Sequence, residues 1–316
     1  MKLSVLVPTY RRVQDLERCL DALKFQIRLP DEILITVRDT DDITTAFLSD
    51  YPADHLSLRF LTVREPGVIA ALNLGFDHFT GDVIAITDDD AAPHIDWLAK
   101  IEDHFASDDQ LGGLGGKDWM YVNGKLQAPH MHPGASEQVG RLQWWGRTIG
   151  NHHIGTGSPR RVEILKGVNM SYRRSAVESV RIDRRLRGTG AQVDNEMDLC
   201  FKLQRQGWKL VYDPTVAVDH YPSKRFDEDQ RSEFSALAQS NMAHNETLVL
   251  MQHLPLVRRL VYLTWAIVVG TRRVPGIVQM LRFLPSQGLL SLERAGASIQ
   301  GRLAGVMTHL LSSTAS

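Results

Sequence analysis

Three consecutive aspartates, Asp88, Asp89 and Asp90, stand directly behind the apolar run VIAIT at 83–87. Like charges this close repel one another, so their gathering at a strand end calls for a cation. Hard dications such as Mg²⁺ or Mn²⁺ take oxygen ligands, commonly one or two carboxylates together with phosphates. If side chains alternate in direction, Asp88 and Asp90 face one way and Asp89 the other. A second acidic group, Asp194, Glu196 and Asp198, opens "DNEMDLCFKLQRQGW", where the apolar spacing predicts a helix over about 194–206. Residues 194 and 198 share a helix face, and Glu196 points elsewhere.

The elements that must position these groups alternate in type. Strand-like runs at 3–7, 33–37, 58–63 and 83–87 are separated by helical spacings. These spacings are carried by Leu16, Leu20 and Leu23, by Ile69, Leu72 and Phe76, and by Leu98, Ile101 and Phe105. Such alternation predicts an α/β chain with a mostly parallel sheet and helices on both faces. Ligands then bind beyond the carboxyl ends of the strands. Behind the four strands stand PTYRR, RDTDD, REPG and DDDAAP, so charge and turn residues crowd one edge four times. The stretch 111–225 is richer in Gly, His and Trp, as in "LGGLGGKDW" and "LQWWGRTIGNHHIGTGSPRR". It reads as long functional loops on a few short strands. From about 228 the pattern is helical, with a break at Pro255.

The chain of 316 residues suits one large or two modest domains. With 43% hydrophobic and 23% charged residues, a sizeable core can form. A formal net charge of −1 argues against nucleic-acid binding, which needs a basic excess. Cys19 and Cys200 read as buried thiols, too few for a disulfide framework or a cysteine-rich zinc site. No secretory leader precedes Leu3, which points to the cytosol. The longest apolar stretch, "LVYLTWAIVVG" at 260–270, is too short to span a bilayer.

No Gly-x-Gly-x-x-Gly follows the first strand and no Gly-Lys-Ser/Thr loop occurs, which excludes the usual modes of binding NAD or ATP. A nucleoside diphosphate held through a metal remains. The segments "VLVPTYRR", "REPGVIAALNLGF", "GDVIAITDDDAAP", "LKGVNMSYRR" and "DNEMDLCFKLQRQGW", in that order, resemble family 2 glycosyltransferases of the GT-A fold over about residues 1–222. The resemblance implies a metal-dependent, inverting transfer from a nucleotide-diphosphate sugar. It implies a catalytic domain over 1–225, with a nucleotide-binding half at 1–110 and an acceptor-binding half at 111–225, followed by a helical region at 226–316.

Residue by residue, it places Pro8, Thr9 and Tyr10 around the base and ribose and has Asp39 read the base edge, which favours a uridine donor. Arg64 and Asn73 fall near the nucleotide. Asp88 and Asp90 become metal ligands with His220, and Asp89 turns to the ribose or donor sugar. Gly167 and Asn169 lie under that sugar. Many relatives read Gly-Glu-Asp-x-Asp-Leu where this chain has "DNEMDL", so Glu196 takes the position of the catalytic aspartate. Asp198 ranks second as base and Asp194 third. Lys224 and Arg225 suit a diphosphate clamp. His152, His153, Trp144 and Trp145 fall where relatives build the acceptor site, and Arg173 and Arg174 read as helix-start surface charge.

The tail at 255–312 intersperses apolar residues with Arg258, Arg259, Arg272, Arg273, Arg282 and Arg294. Helices of this kind lie on a membrane interface, cap the catalytic domain or pair with a second copy. Membrane contact fits a lipid-linked acceptor, as in bacterial surface-polysaccharide or glycolipid assembly. Two other functions fit a similar sheet: a sugar nucleotidyltransferase, which would want glycines in "PTYRRVQ", and a non-catalytic sugar- or partner-binding protein.

Overall fold

The computed structural model describes residues 1–53, 55–127, 133–229 and 233–313. Parallel strands β1 (Leu3–Thr9), β2 (Glu32–Arg38), β3 (Leu58–Val63) and β4 (Val83–Thr87) lie in the order β4-β1-β2-β3. They are linked by helices α1 (Val13–Lys24), α2 (Asp42–Asp50) and α3 (Val68–His78). Alternation along β1 sorts its side chains between two cores. Leu3, Val5 and Val7 meet Leu16, Leu20 and Leu23 of α1; Leu6 meets Ile69, Leu72 and Phe76 of α3 on the opposite face. Burial on both sides is why β1, β2 and β4 read as unbroken apolar runs, while the edge strand β3 leaves Phe60 half exposed. Helix α2 carries too little periodicity to be foreseen. Asp41 starts it by accepting from the Thr44 amide at 3.2 Å.

The sheet continues through β5 (Ala91–Pro93), helix α4 (Trp97–Ser107) and β6 (Leu111–Val122). Short pairs follow: β7 (Lys125–Leu126), β8 (Arg141–Leu142), β9 (Thr148–Ile149) and β10 (Arg160–Arg161). Then come β11 (Asn169–Arg173), helices α5 (Arg174–Val177) and α6 (Asn195–Arg205), and β12 (Lys209–His220). Strand β11 runs antiparallel between β4 and β6, and β12 lies parallel to β6 with a bulge between Asp213 and Ala217. This corrects the expectation for "LGGLGG", which is not loop. It forms a 12-residue interior strand. Its glycines leave room for bulky neighbours: a Cβ on Gly113 would meet Leu210 and Tyr172, and one on Gly116 would lie 1.7 Å from the Val216 carbonyl at the bulge.

Arg173 and Arg174 are also more than surface charge. Arg173 donates to the carbonyls of Phe105 and Asp108 at the end of α4, and Arg174 to those of Phe79 and Gly81 at the end of α3. Each thus satisfies carbonyls that a helix C-terminus leaves without partners.

Helices α7 (Ala236–His253), α8 (Leu256–Val268), α9 (Ile277–Gln287) and α10 (Leu289–Ser313) complete the chain. Of the stretch expected to be helical, residues 230–232 and 314–316 lie outside the described residues. Helices α7 and α10 pack along their lengths around a buried ion pair, Arg302 to Glu246 at 3.0 Å, which Tyr262 joins from α8. Among the described residues no helix is long and apolar enough to cross a membrane.

Candidate active site

The carboxyl ends of β1 and β4, the end of β12 and the start of α6 surround a cavity of about 530 Å³, a size that suits a small-molecule ligand. Asp88–Asp90 form a turn between β4 and β5, closed by the Ala91 amide on the Asp88 carbonyl at 3.1 Å. The turn sends Asp88 and Asp90 to the cavity and Asp89 beneath it. His220 arrives from β12, which is held beside the turn by its pairing with β5. Asp88, Asp90 and His220 each offer a ligand atom, and all three atoms lie within 4.8 Å of one another. Two carboxylates and an imidazole fit a divalent cation, which binds such ligands at roughly 2.0–2.6 Å. The His220 Nδ1 lies 3.5 Å from Asp118, an outer carboxylate of the kind that orients metal-binding imidazoles.

Arg12, at the start of α1, locks the acidic turn from below, 2.6 Å from Asp89 and 3.0 Å from Asp90. Burial pushes the Asp89 carboxyl up to about 7, against the opposing pull of Arg12. Asp90 is buried too, but its hydrogen bond to His220 and the Arg12 charge hold it well below the usual carboxylate range. Burial lowers the His220 pKa, and Asp118 and Asp90 outweigh it, so the net shift is upward.

Glu196 enters the same cavity from the first turn of α6. Its Oε1 accepts from the Gly167 amide at 3.2 Å. A Cβ on Gly167 would lie 2.7 Å from that oxygen, so only glycine permits the approach. Burial raises the Glu196 pKa above the ordinary glutamate range, with the Asp88 charge adding to it. Asp194, the residue before α6, holds a left-handed φ of 70°, and its carboxyl is pushed up to about 7 by burial and then by Glu246. It does not line the cavity.

The other residues singled out in the sequence separate into two groups. Pro8, Thr9, Tyr10, Gly167 and Arg225 line the cavity. Asp39 and Arg64 are exposed outside it, as is Lys224. Asp89 is buried and takes the Thr9 hydroxyl at 2.8 Å, so it supports the cavity wall and does not reach a sugar. Asn73 is fully engaged with one backbone unit: it donates to the Ile182 carbonyl at 3.0 Å and accepts from the Ile182 amide at 2.9 Å. Asn169 donates to the carbonyls of Lys117 and Val216 and accepts from the Trp97 indole at 2.9 Å. Both asparagines are buried, hold strands and loops together and lie outside the cavity lining.

Asp198 lies on the far side of α6. It is fully buried and meets Lys202 at 2.6 Å, His253 at 3.1 Å and the Asp183 amide at 2.9 Å. His152 is buried away from the cavity with Nε2 3.0 Å from the Ile164 carbonyl, and burial drives its pKa down to about 4. His153, Trp144 and Trp145 also lie outside the cavity lining. Several functional candidates escaped sequence reasoning. Arg12 and Arg38, both in the cavity lining, stood in the charged runs after β1 and β2 and could have been found there. Asp118 and its ion-pair partner Lys166 had no such signal, because Asp118 sits inside the glycine run misread as loop.

Residues 4–181 match the family model of glycosyl transferase family 2. The glycosyltransferase AglE of Haloferax volcanii is 28% identical over 100 residues, spanning 31% of this chain and 33% of AglE. A glucosyl-dolichyl phosphate glucuronosyltransferase of the same organism is 24% identical over 232 residues, 70% of this chain and 69% of that protein. Two solved structures share the fold. A Pyrobaculum calidifontis mannosyltransferase with GDP-Man and Mn²⁺ has a TM-score of 0.57 at 17% identity, covering 98% of this chain and 87% of that one. Staphylococcus aureus TarS has a TM-score of 0.60 at 14% identity, covering 97% and 81%; a second TarS structure contains UDP-GlcNAc. At these identities the structural likeness shows the fold, which is GT-A.

Proposed function

The chain belongs to glycosyl transferase family 2, and on that premise we propose that it is a metal-dependent, inverting glycosyltransferase acting on a nucleoside-diphosphate sugar. One observation carries the reading: Asp88, Asp90 and His220 converge on the same cavity that Glu196 enters from the opposite element. Asp88, Asp90 and His220 hold a divalent ion, Mn²⁺ or Mg²⁺. When bound, it supplies positive charge against the departing diphosphate.

The chain's own groups do the rest. Pro8, Thr9 and Tyr10 form the wall for the nucleoside, and Arg225, in the same lining and paired with Asp229, serves as the cation for the diphosphate. Arg12 fixes the acidic turn. Glu196 accepts the proton of the acceptor hydroxyl as that oxygen attacks the anomeric carbon, and a single displacement from the face opposite the leaving group inverts the configuration. The Gly167 amide holds the Glu196 carboxylate in place. Its raised pKa makes it a stronger base than an ordinary glutamate.

The mannosyltransferase neighbour with GDP-Man and Mn²⁺ and the TarS neighbour with UDP-GlcNAc support a nucleotide-sugar donor; with Asp39 outside the cavity, a uridine donor is our first choice only because UDP occurs in two of the neighbours. The acceptor in this reading is a hydroxyl of a glycan or a lipid-linked sugar, as in surface-polysaccharide or glycolipid assembly. The relative named for glucosyl-dolichyl phosphate supports it. Residues 1–225 act as the catalytic unit. The test is a panel of uridine, guanosine and thymidine diphosphate sugars with Mn²⁺, Mg²⁺ or chelator, read by release of the nucleoside diphosphate. Metal-dependent release with at least one donor is expected; no release with any donor would overturn the reading.

A further inference from the structure

Helices α8 and α9 present many of their large apolar residues outwards. Along α8, Leu256, Val257, Leu260 and Val268 are exposed, Leu256 by 69%, while the buried side holds Tyr262 and Ala266. Helix α9 buries none of its residues, although Ile277, Val278, Leu281 and Leu284 recur at helical spacing and all stand exposed. Leu289, Leu290 and Leu292 extend the pattern at the start of α10. An apolar face this long on a soluble surface marks an interaction site.

Two further features indicate what covers it. Residues 255–292 contain five arginines, Arg258, Arg259, Arg272, Arg273 and Arg282, and no Asp or Glu, in a chain whose overall charge is close to zero. The turn between β8 and β9 lies against α8 and carries two exposed tryptophans, Trp144 (58%) and Trp145 (37%). Arg258 ties the turn to the helix by donating to the carbonyls of Trp144 and Gln143 at 3.0 and 3.1 Å. Gly146 sits so close to Tyr262 that a Cβ there would lie 2.5 Å from its ring. The hairpin and α8 are thus one surface, although Trp144 and Arg258 stand 114 residues apart in the chain.

Exposed leucines and valines, tryptophans at their border and arginines in a stretch without acids form the pattern of an element lying in a bilayer interface. We propose that α8, α9 and the Trp144–Trp145 turn together seat the protein on an anionic lipid surface. Apolar side chains enter the acyl boundary, the indoles sit at headgroup level, and the arginines meet lipid phosphates. The tryptophans, expected in the acceptor site, act here as anchors. The inference stands on surface chemistry and is independent of the transfer reaction.

The experiment is co-sedimentation of the full chain with vesicles of phosphatidylcholine alone or mixed with phosphatidylglycerol, without metal or nucleotide. Binding to the anionic vesicles that weakens with salt is expected. Arg272→Gln with Arg282→Gln should weaken it about 25-fold, roughly fivefold for each arginine removed near the surface. Trp144→Ser with Trp145→Ser, and Leu256→Ser with Leu260→Ser, should each reduce binding at least about tenfold. All these side chains are exposed, and unchanged circular dichroism would verify the fold. The proposal is overturned by no binding to anionic vesicles, or by binding that survives the tryptophan and leucine changes. A soluble dimer that the same substitutions dissolve would overturn it too, by making a second copy the occupant.

Discussion

Two pairs of acids, each separated by one residue, meet different fates. Asp88 and Asp90 in the turn after β4 both reach the cavity, whereas Glu196 and Asp198 on α6 part company. Across the turn, closed by the Ala91 amide on the Asp88 carbonyl, a step of two residues brings the side chain back to the cavity. On a helix the same step rotates it about 200°. Asp198 therefore points back into the protein, where a lysine, a histidine and a backbone amide satisfy it. Glu196 points to the cavity with only backbone amides, its own and that of Gly167, as partners among the described residues. The difference teaches that deep burial alone does not mark a catalytic acid. What marks it is the side of the element it occupies and how much of its hydrogen-bonding capacity the fold has already used.

The strongest test of the contrast removes the turn's acids. Asp88→Ala with Asp90→Ala, or chelation of the wild type, should lower sugar transfer by roughly a thousandfold or more, measured as nucleoside diphosphate release. Next comes Glu196→Gln, expected to cut kcat by about 10²–10⁴ with thermal stability unchanged. In the wild type the ionised glutamate is the active form, so kcat should climb as pH rises through the Glu196 pKa. Because burial raises that pKa, the acid limb should lie above the ordinary glutamate range, and it should vanish from the residual rate of Glu196→Gln.

Asp198→Ala should behave in the opposite way. Stranding Lys202 and His253 beside an emptied site should cost about 3–5 kcal/mol of stability, read by denaturant unfolding, while kcat of the folded fraction stays near wild type. A large kcat loss at unchanged stability would break the comparison. The mildest test is Gly167→Ala, whose new methyl would displace the Glu196 carboxylate. About a tenfold loss in kcat is expected, less than the ~100-fold that a full 1 Å misplacement can cost, with little change in Tm.

Much of this was legible in the residues. The four first strands and the helices α1, α3 and α4 follow from periodicity, because both faces of this sheet are buried and each covering helix shows one apolar stripe. The convergence of Asp88 and Asp90 was foreseen as well, although a turn delivers it where strand alternation was expected. Strand β6 was not legible. Its glycines are there to admit Tyr172 and Leu210 from other segments, and such a reason cannot be seen within the run itself. Asn73 and Asn169 misled for a related cause: an asparagine in a motif looks the same whether its amide meets a ligand or, as here, Ile182 or Val216.

Local order along the chain determined the four parallel strands, the helices α1, α3 and α4, the acidic turn and membership of a family, because periodicity and short motifs depend on neighbours a few residues away. Tertiary structure alone decided that His220 meets Asp88 and Asp90 across 130 residues, that Asp198 is spent on Lys202 and His253, and that two tryptophans border the outward face of α8. Those outcomes depend on which polar and apolar groups are already satisfied by distant partners. Only the closed fold assigns them.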